Sequence, residues 1–205
     1  MMATTVIRDR LARIEERIGS SCRRAGRERS EVTLIGVSKT FPSDLIAEGI
    51  AAGLRVLGEN RVQEAATKIP DLRGLCAAEG VVWHLIGHLQ SNKVRRALEL
   101  FSMIHSVDSL KLAERIDAVC GETGQRMPIL IEVNLGGEES KAGVDAAETL
   151  GLCEKIAQLP NLDLQGLMTV PPYAENPEDV RAFFGRLRTL RDEAVRLGIV
   201  SAAFT

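Results

Sequence analysis

No long apolar run interrupts this 205-residue sequence. A helix needs about 20 consecutive apolar residues to cross a bilayer, and no stretch approaches that length, which excludes a helical membrane protein. No secretory signal is expected from the segment around Arg8-Asp9-Arg10, which is already charged and amphipathic. Charge of one sign is missing: the formal net charge is -2, so no global field directs the chain to nucleic acid or to a membrane surface. Arginines gather only in Arg23-Arg24-Ala25-Gly26-Arg27-Glu28-Arg29, where the acid mixed among them reads as a solvated helix end. Cysteine is scarce. Cys22, Cys76, Cys120 and Cys153 stand far apart with no metal-ligand spacing, the pattern of reduced thiols in a cytoplasmic protein. There is no phosphate P-loop, no Ser/His/Asp set, no linker, no low-complexity segment and no repeat. Hydrophobic residues at 45% and charged residues at 26% are ordinary for a globular chain.

What is present is a regular alternation of strand and helix. Ile7, Leu11, Ile14, Ile18 and Cys22 form one apolar stripe of an N-terminal helix that Gly26 stops. Strands are read at 32–37, 55–60, 81–87, 103–107, 129–134 and 164–170, and 199–205 reads as the start of a seventh. Helices fall between them: one capped by Ser43 and ended at Gly53, one from Val62 stopped by Pro70, one through Val94 and Leu98, one capped by Ser109 and closed at Gly121, one through Leu152 and Ile156 ending at Pro160, and a long one opened by Asn176-Pro177 and ended at Gly198. The loop 135–143 is polar and glycine-rich, and mobility is expected there. Short apolar strands each followed by a helix imply a parallel sheet, either a (β/α)8 barrel or an open doubly wound sheet. The barrel is favoured, because Lys39, Asn60, His84, Asn134 and Met168 all fall at or near C-terminal strand ends, where a barrel collects its site. The missing G-x-G-x-x-G after the first strand also weakens the dinucleotide-binding sheet. Eight strands are required, however, and only six and a fragment are read, so the expected fold is a barrel lacking its last strand or strands, formed by residues 1–205 as a single domain.

The chemistry centres on Val32-Thr33-Leu34-Ile35-Gly36-Val37-Ser38-Lys39, an apolar strand ending in a lysine. A buried ammonium tends to lose its proton, and a neutral lysine amine attacks aldehydes to give Schiff bases. The alternative is that Lys39 lies just past the strand and is solvated. Of the six lysines, Lys68, Lys111 and Lys155 fall in helices beside other charges and are read as solvated, Lys93 is in a first helical turn, and Lys141 is in the glycine-rich loop. Only Lys39 ends an apolar strand. His84 and His88 have the i, i+4 spacing of a metal pair, but they straddle a strand end and no third ligand presents itself, so no metal is assigned. His105 reads as a core histidine. Glu59 and Glu132 read equally well as acid/base groups or as salt bridges inside a barrel.

Taken together, Val37-Ser38-Lys39-Thr40, Gly58-Glu59-Asn60-Arg61-Val62-Gln63-Glu64, Trp83-His84-Leu85-Ile86-Gly87-His88-Leu89-Gln90-Ser91-Asn92-Lys93, His105-Ser106-Val107-Asp108 and Gly166-Leu167-Met168-Thr169 resemble the pyridoxal phosphate homeostasis proteins, the YggS/PROSC-type family, from about residue 5 to about residue 200 in order and spacing. That family is similar to the N-terminal barrel domain of alanine racemase. The resemblance implies that pyridoxal 5'-phosphate is held as a Schiff base on Lys39, with Asn60, His84, Met168 and Ser201 also at the cofactor. It implies a vitamin B6 homeostasis protein with no catalytic residue of its own, working in the cytoplasm as a monomer whose partner is the small-molecule cofactor, with no nucleic acid and no membrane.

The C-terminus departs from the family pattern. There the family has Ser-Met-Gly-Met-Ser/Thr and then, about 25 residues on, Arg-Ile-Gly, the pieces that hold the cofactor phosphate after strands seven and eight. Here the first piece reads Ser201-Ala202-Ala203-Phe204-Thr205 and the second is absent. Two rival readings are a pyridoxal-phosphate-dependent amino-acid racemase, which would need a second domain for its acid/base group, and a Schiff-base aldolase barrel that needs no cofactor.

Overall fold

A computed structural model describes residues 2–136 and 142–205, with side chains from Val6 onward. The chain resolves into two compact units, Met1–His84 and Leu85–Thr205.

The first unit opens with α1 (Met2–Ala25), which Gly26 ends at φ 64°. β1 (Ile35–Val37) follows, then α2 (Ser43–Ala51), β2 (Val56–Glu59), α3 (Val62–Glu79) and β3 (Val82–Leu85). β1 is shorter than the 32–37 read from the sequence. It lies parallel to β2 with Ile35 opposite Val56, so residues 32–34 fall before the first residue of its partner. They leave a short 3-10 turn at Arg29–Glu31 instead. β3 joins β2 through Val82 N–H on the Arg55 carbonyl at 3.0 Å. α3 does not stop at Pro70. A proline in mid-helix removes one backbone bond and crowds the preceding turn, yet Ala65, Leu72 and Cys76 on either side of it are all buried, and the helix runs on to Gly80 in the left-handed conformation. The core of this unit is Ile46, Ile50, Leu57, Val62, Ala65 and Trp83.

The second unit contains α4 (Val94–Leu100), β4 (Met103–Val107), α5 (Leu110–Thr123), β5 (Met127–Asn134), β6 (Val144–Asp145), α6 (Thr149–Ile156), β7 (Leu162–Met168) and α7 (Arg181–Arg196). Ser109 caps α5 as expected, its side chain accepting from Leu112 N–H. The helix passes Gly121 and ends at Gly124, which takes the left-handed cap. Asn176-Pro177 opens a 3-10 turn, and α7 begins only at Arg181. β5 is the centre of the unit, with β4 on one side, β7 on the other and the two-residue β6 beside its end, all parallel. Successive side chains of a strand point to opposite faces: on one face of β5 Ile129, Ile131 and Val133 are at most 1% exposed, while Pro128, Leu130 and Asn134 on the other are half-buried. β6 was not read from the sequence, since two residues carry no periodicity. Of the loop 135–143, where mobility was expected, residues 137–141 lie outside the described residues, while Leu135 is buried.

Six strands of three residues or more are therefore present among the described residues, and the expected seventh is reduced to one residue. Thr205 donates its N–H to the Gln165 carbonyl and accepts from Leu167 N–H, both at 2.8 Å, a single parallel bridge against β7. All four cysteines are buried thiols. Burial pushes Cys120 and Cys153 up to about 11, with the charge of Asp117 adding to the effect at Cys120.

The bridge makes Gly166 irreplaceable, because a Cβ there would stand 2.1 Å from the Thr205 carbonyl oxygen. Gly166→Ala is expected to break both bridge bonds and lower stability by about 1–3 kcal/mol. Gly185→Ala, with nothing within 4 Å of the added carbon in α7, should instead raise it by up to about 1 kcal/mol. Denaturant unfolding of the two variants measures the difference, and equal stability would mean that the Thr205 bridge contributes nothing.

Candidate functional site

The β1–β2 pairing brings two of the expected residues to one end of a strand pair. Val37, the last residue of β1, stands opposite Gly58, and Lys39 and Asn60 each follow two residues further on. His84 is the third residue of β3. Burial lowers the pKa of its imidazole, which favours the neutral ring.

Lys39 is not buried. β1 ends at Val37, and Lys39 is exposed in a tight turn closed by Phe41 N–H on the Ser38 carbonyl at 3.1 Å. The expectation that burial strips its proton fails here, and the solvated alternative describes its position. What distinguishes Lys39 is freedom: among the described residues its amine makes no hydrogen bond or ion pair. The turn that carries it is unusual, since Thr40 has φ 66°. Beside it, on the flank of β1, Val37 and Phe41 are 45% and 48% exposed at an apolar cleft of about 430 Å³ against α1 and α2. Its lining runs from Gly36 through Val37 and Ser38 to Phe41 and so reaches the end of the strand.

The buried lysine of this unit is Lys68, which the sequence reading made solvated. It is 9% exposed. Its Nζ donates to the Ser38 carbonyl at 2.9 Å, to Glu59 Oε2 at 3.0 Å and to Glu64 Oε1 at 2.5 Å, using all three protons. Desolvation pulls the Lys68 pKa down, but the bonds to Glu64 and Glu59 outweigh it and leave the amine above its usual range. Glu64 is held below the usual carboxylate range, chiefly by Lys68 and then by Thr40 N–H at 2.6 Å. Glu59 is fully buried, so of its two readings the salt bridge is the one observed. Glu59 also accepts from Ser38 Oγ at 3.2 Å and from Asn60 N–H at 3.2 Å. The network could have been found. Glu64 and Lys68 are i, i+4 neighbours on one helix face, and a strand-end glutamate on an apolar run needs a cation close by.

In the second unit Met168 ends β7 level with Glu132 of β5, and Asn134 ends β5 one pleat further on. His105 is buried on β4, as expected of a core histidine. Ser201 is not at a strand end. It is exposed in a turn closed by Phe204 N–H on its own carbonyl at 3.1 Å, four residues ahead of the Thr205 bridge. The reason is local: only Thr205 pairs with β7, so the 201–204 segment turns before any strand is established. The remaining charge is acidic. Glu132 is 8% exposed. Its pKa is raised by burial and by the neighbouring Asp108, with His88, 3.6 Å from Asp108, opposing. No group of three or more His, Cys, Asp or Glu among the described residues is placed to hold a metal.

An amine with no bond among the described residues, an asparagine just past the next strand and an imidazole whose neutral form is favoured by burial are groups that suit the aldehyde end of pyridoxal 5'-phosphate. For the phosphate, Ser201 as placed gives no strand-end donor.

Glu132 generates a prediction. An acid whose pKa is raised by folding contributes most to stability at low pH and forfeits that as the pH climbs from the ordinary carboxylate range through the raised value. Glu132→Gln should therefore melt higher than the parent chain at neutral pH, and the gain should vanish on acidification, where the parent is protonated. A gain that is the same at both pH values would show that charge at Glu132 is not the cause.

The chain matches the family "Alanine racemase, N-terminal domain" over residues 10–205. It is 46% identical over 188 residues to the pyridoxal phosphate homeostasis protein of Aquifex aeolicus, covering 92% of this chain and 81% of that one. Among solved structures it is similar to PipY of Synechococcus elongatus with PLP bound, at 39% identity and a TM-score of 0.79, covering 93% of this chain and 82% of that one. An alanine racemase of Clostridium difficile, at 16% identity and a TM-score of 0.65 over 83% of this chain and 44% of that one, shares the fold alone. The parallel α/β barrel class expected from strand and helix order is thus the fold of its relatives, and the chain belongs to the pyridoxal phosphate homeostasis proteins of the alanine racemase N-terminal domain family.

Proposed function

We propose that this protein binds pyridoxal 5'-phosphate on Lys39, carries it as a Schiff base and serves vitamin B6 homeostasis without turning over a substrate. The observation that carries the assignment is the division between two amines at the end of one strand pair. Lys68 has every proton committed, while Lys39, on the exposed turn beside it, has none committed among the described residues. When bound, the cofactor supplies an aldehyde open to attack by a neutral amine. Lys39 provides the amine. Asn60, just past the end of the neighbouring β2, can hold ring substituents by hydrogen bonds, and His84, whose neutral ring burial favours, can donate or accept without adding charge. The family resemblance adds Met168, at the end of β7 in the second unit, to the residues proposed for the cofactor. The names of its relatives support this reading, since they speak of homeostasis where an enzyme would be named for a reaction. Buried thiols fit a reducing cytoplasm, and the small net charge fits a monomer with no nucleic-acid or membrane partner.

Incubation with pyridoxal phosphate, borohydride reduction and mass mapping test the assignment. One adduct at Lys39 is expected, absent in Lys39→Ala. A main adduct on Lys93, Lys111 or Lys155, or none at all, would overturn it.

A further inference from the structure

The turn that presents Lys39 is held by a device that nothing in the cofactor reading requires. Thr40 is the one non-glycine residue with positive φ among the described residues. A β-branched side chain is strained in that region, and the third position of such a turn usually takes glycine or asparagine. A single carboxylate oxygen holds it there: Glu64 Oε1 accepts both Thr40 N–H and Lys68 Nζ. Glu64 sits in the first turn of α3 and Lys68 one turn on, so the anchor is a helix. Lys68 is fixed in turn by buried Glu59 at the end of β2 and by the Ser38 carbonyl. Ser38 closes the circuit through its hydroxyl, on Glu59 Oε2 and on the Gly58 carbonyl at 3.1 Å. Both chain neighbours of Lys39 are therefore tied to one ammonium, Ser38 directly and Thr40 through Glu64, while the Lys39 amine between them makes no bond among the described residues.

We infer that Glu64 and Lys68 are positioning residues: the Lys68–Glu64 pair clamps the backbone on either side of Lys39 and so fixes the point from which its amine meets an aldehyde. The inference rests on the assignment of Lys39 given above. The clamp costs the site nothing in nucleophilicity, because it grips peptide groups and not the amine. It keeps its charges through neutral pH, as Glu64 is pulled below the usual carboxylate range by Lys68 and Thr40.

Removing Lys68 is a poor test, since it would leave Glu59 buried without its cation and endanger folding. Glu64, at the edge of the network, is the better position. In the full chain, Glu64→Ala should speed amide exchange at Thr40 roughly tenfold, the scale of one charge-assisted hydrogen bond. It should weaken pyridoxal phosphate trapping at Lys39 by a similar factor relative to the exposed helix lysines Lys111 and Lys155 in the same sample. Glu64→Gln keeps an acceptor oxygen and should restore most of both. Adding Thr40→Gly to Glu64→Ala should recover part of the trapping without recovering exchange protection, because glycine takes the left-handed turn unaided. Unchanged exchange at Thr40 in Glu64→Ala would show that there is no clamp. Lost protection with trapping equal to the parent chain would show a clamp that does not position Lys39. If the parent chain itself forms no adduct at Lys39, the assignment of Lys39 fails and takes the positioning role with it, while the exchange result still reports whether the turn is held.

Discussion

The interaction on which the first unit depends is a buried ammonium with three oxygens around it. Two charges taken out of water cost more than their attraction returns unless every donor and lone pair is satisfied. Lys68 meets that condition with two carboxylates and a carbonyl. Those oxygens come from three chain segments: the end of β1, the end of β2 and the first turn of α3. One side chain therefore sets the distance between two neighbouring strand ends and the helix that follows the second. A barrel-type fold builds its sites on strand ends, and here their spacing is enforced by electrostatics as well as by the ladder of backbone bonds.

Much of this was legible in the sequence, and the exceptions have definite causes. The order of strands and helices could be read because buried parallel strands are continuous apolar runs and each helix carries a stripe. Pro70 misled because a proline rule describes the isolated helix, whereas α3 has Ala65, Leu72 and Cys76 buried before and after it. Gly121 misled in the same way, the left-handed cap falling three residues later on Gly124. β6 gave no signal, being two residues long.

For the candidate site the mechanics were the hardest part to read. Lys39 was singled out by elimination among six lysines, and it lies two residues past the end of β1 in an exposed turn. The reason given for its reactivity, burial, belongs to Lys68 instead. A helical lysine between charged neighbours reads as solvated on any local criterion, and only the third dimension shows that its neighbours include the end of another strand. Ser201 was assigned by resemblance to a motif of which two residues remain, and its segment turns before it can reach the end of a strand.

The thiols have a practical consequence. Four cysteines are shielded, two of them with acidities far weaker than that of a free thiol, and attack on an alkylating reagent requires the thiolate. Burial therefore shields these thiols from maleimides while the native packing is closed. Each cysteine becomes a reporter only when its surroundings open, so the extent of labelling over time counts opening events, one region at a time: Cys22 for α1, Cys76 for α3, Cys120 for α5 and Cys153 for α6.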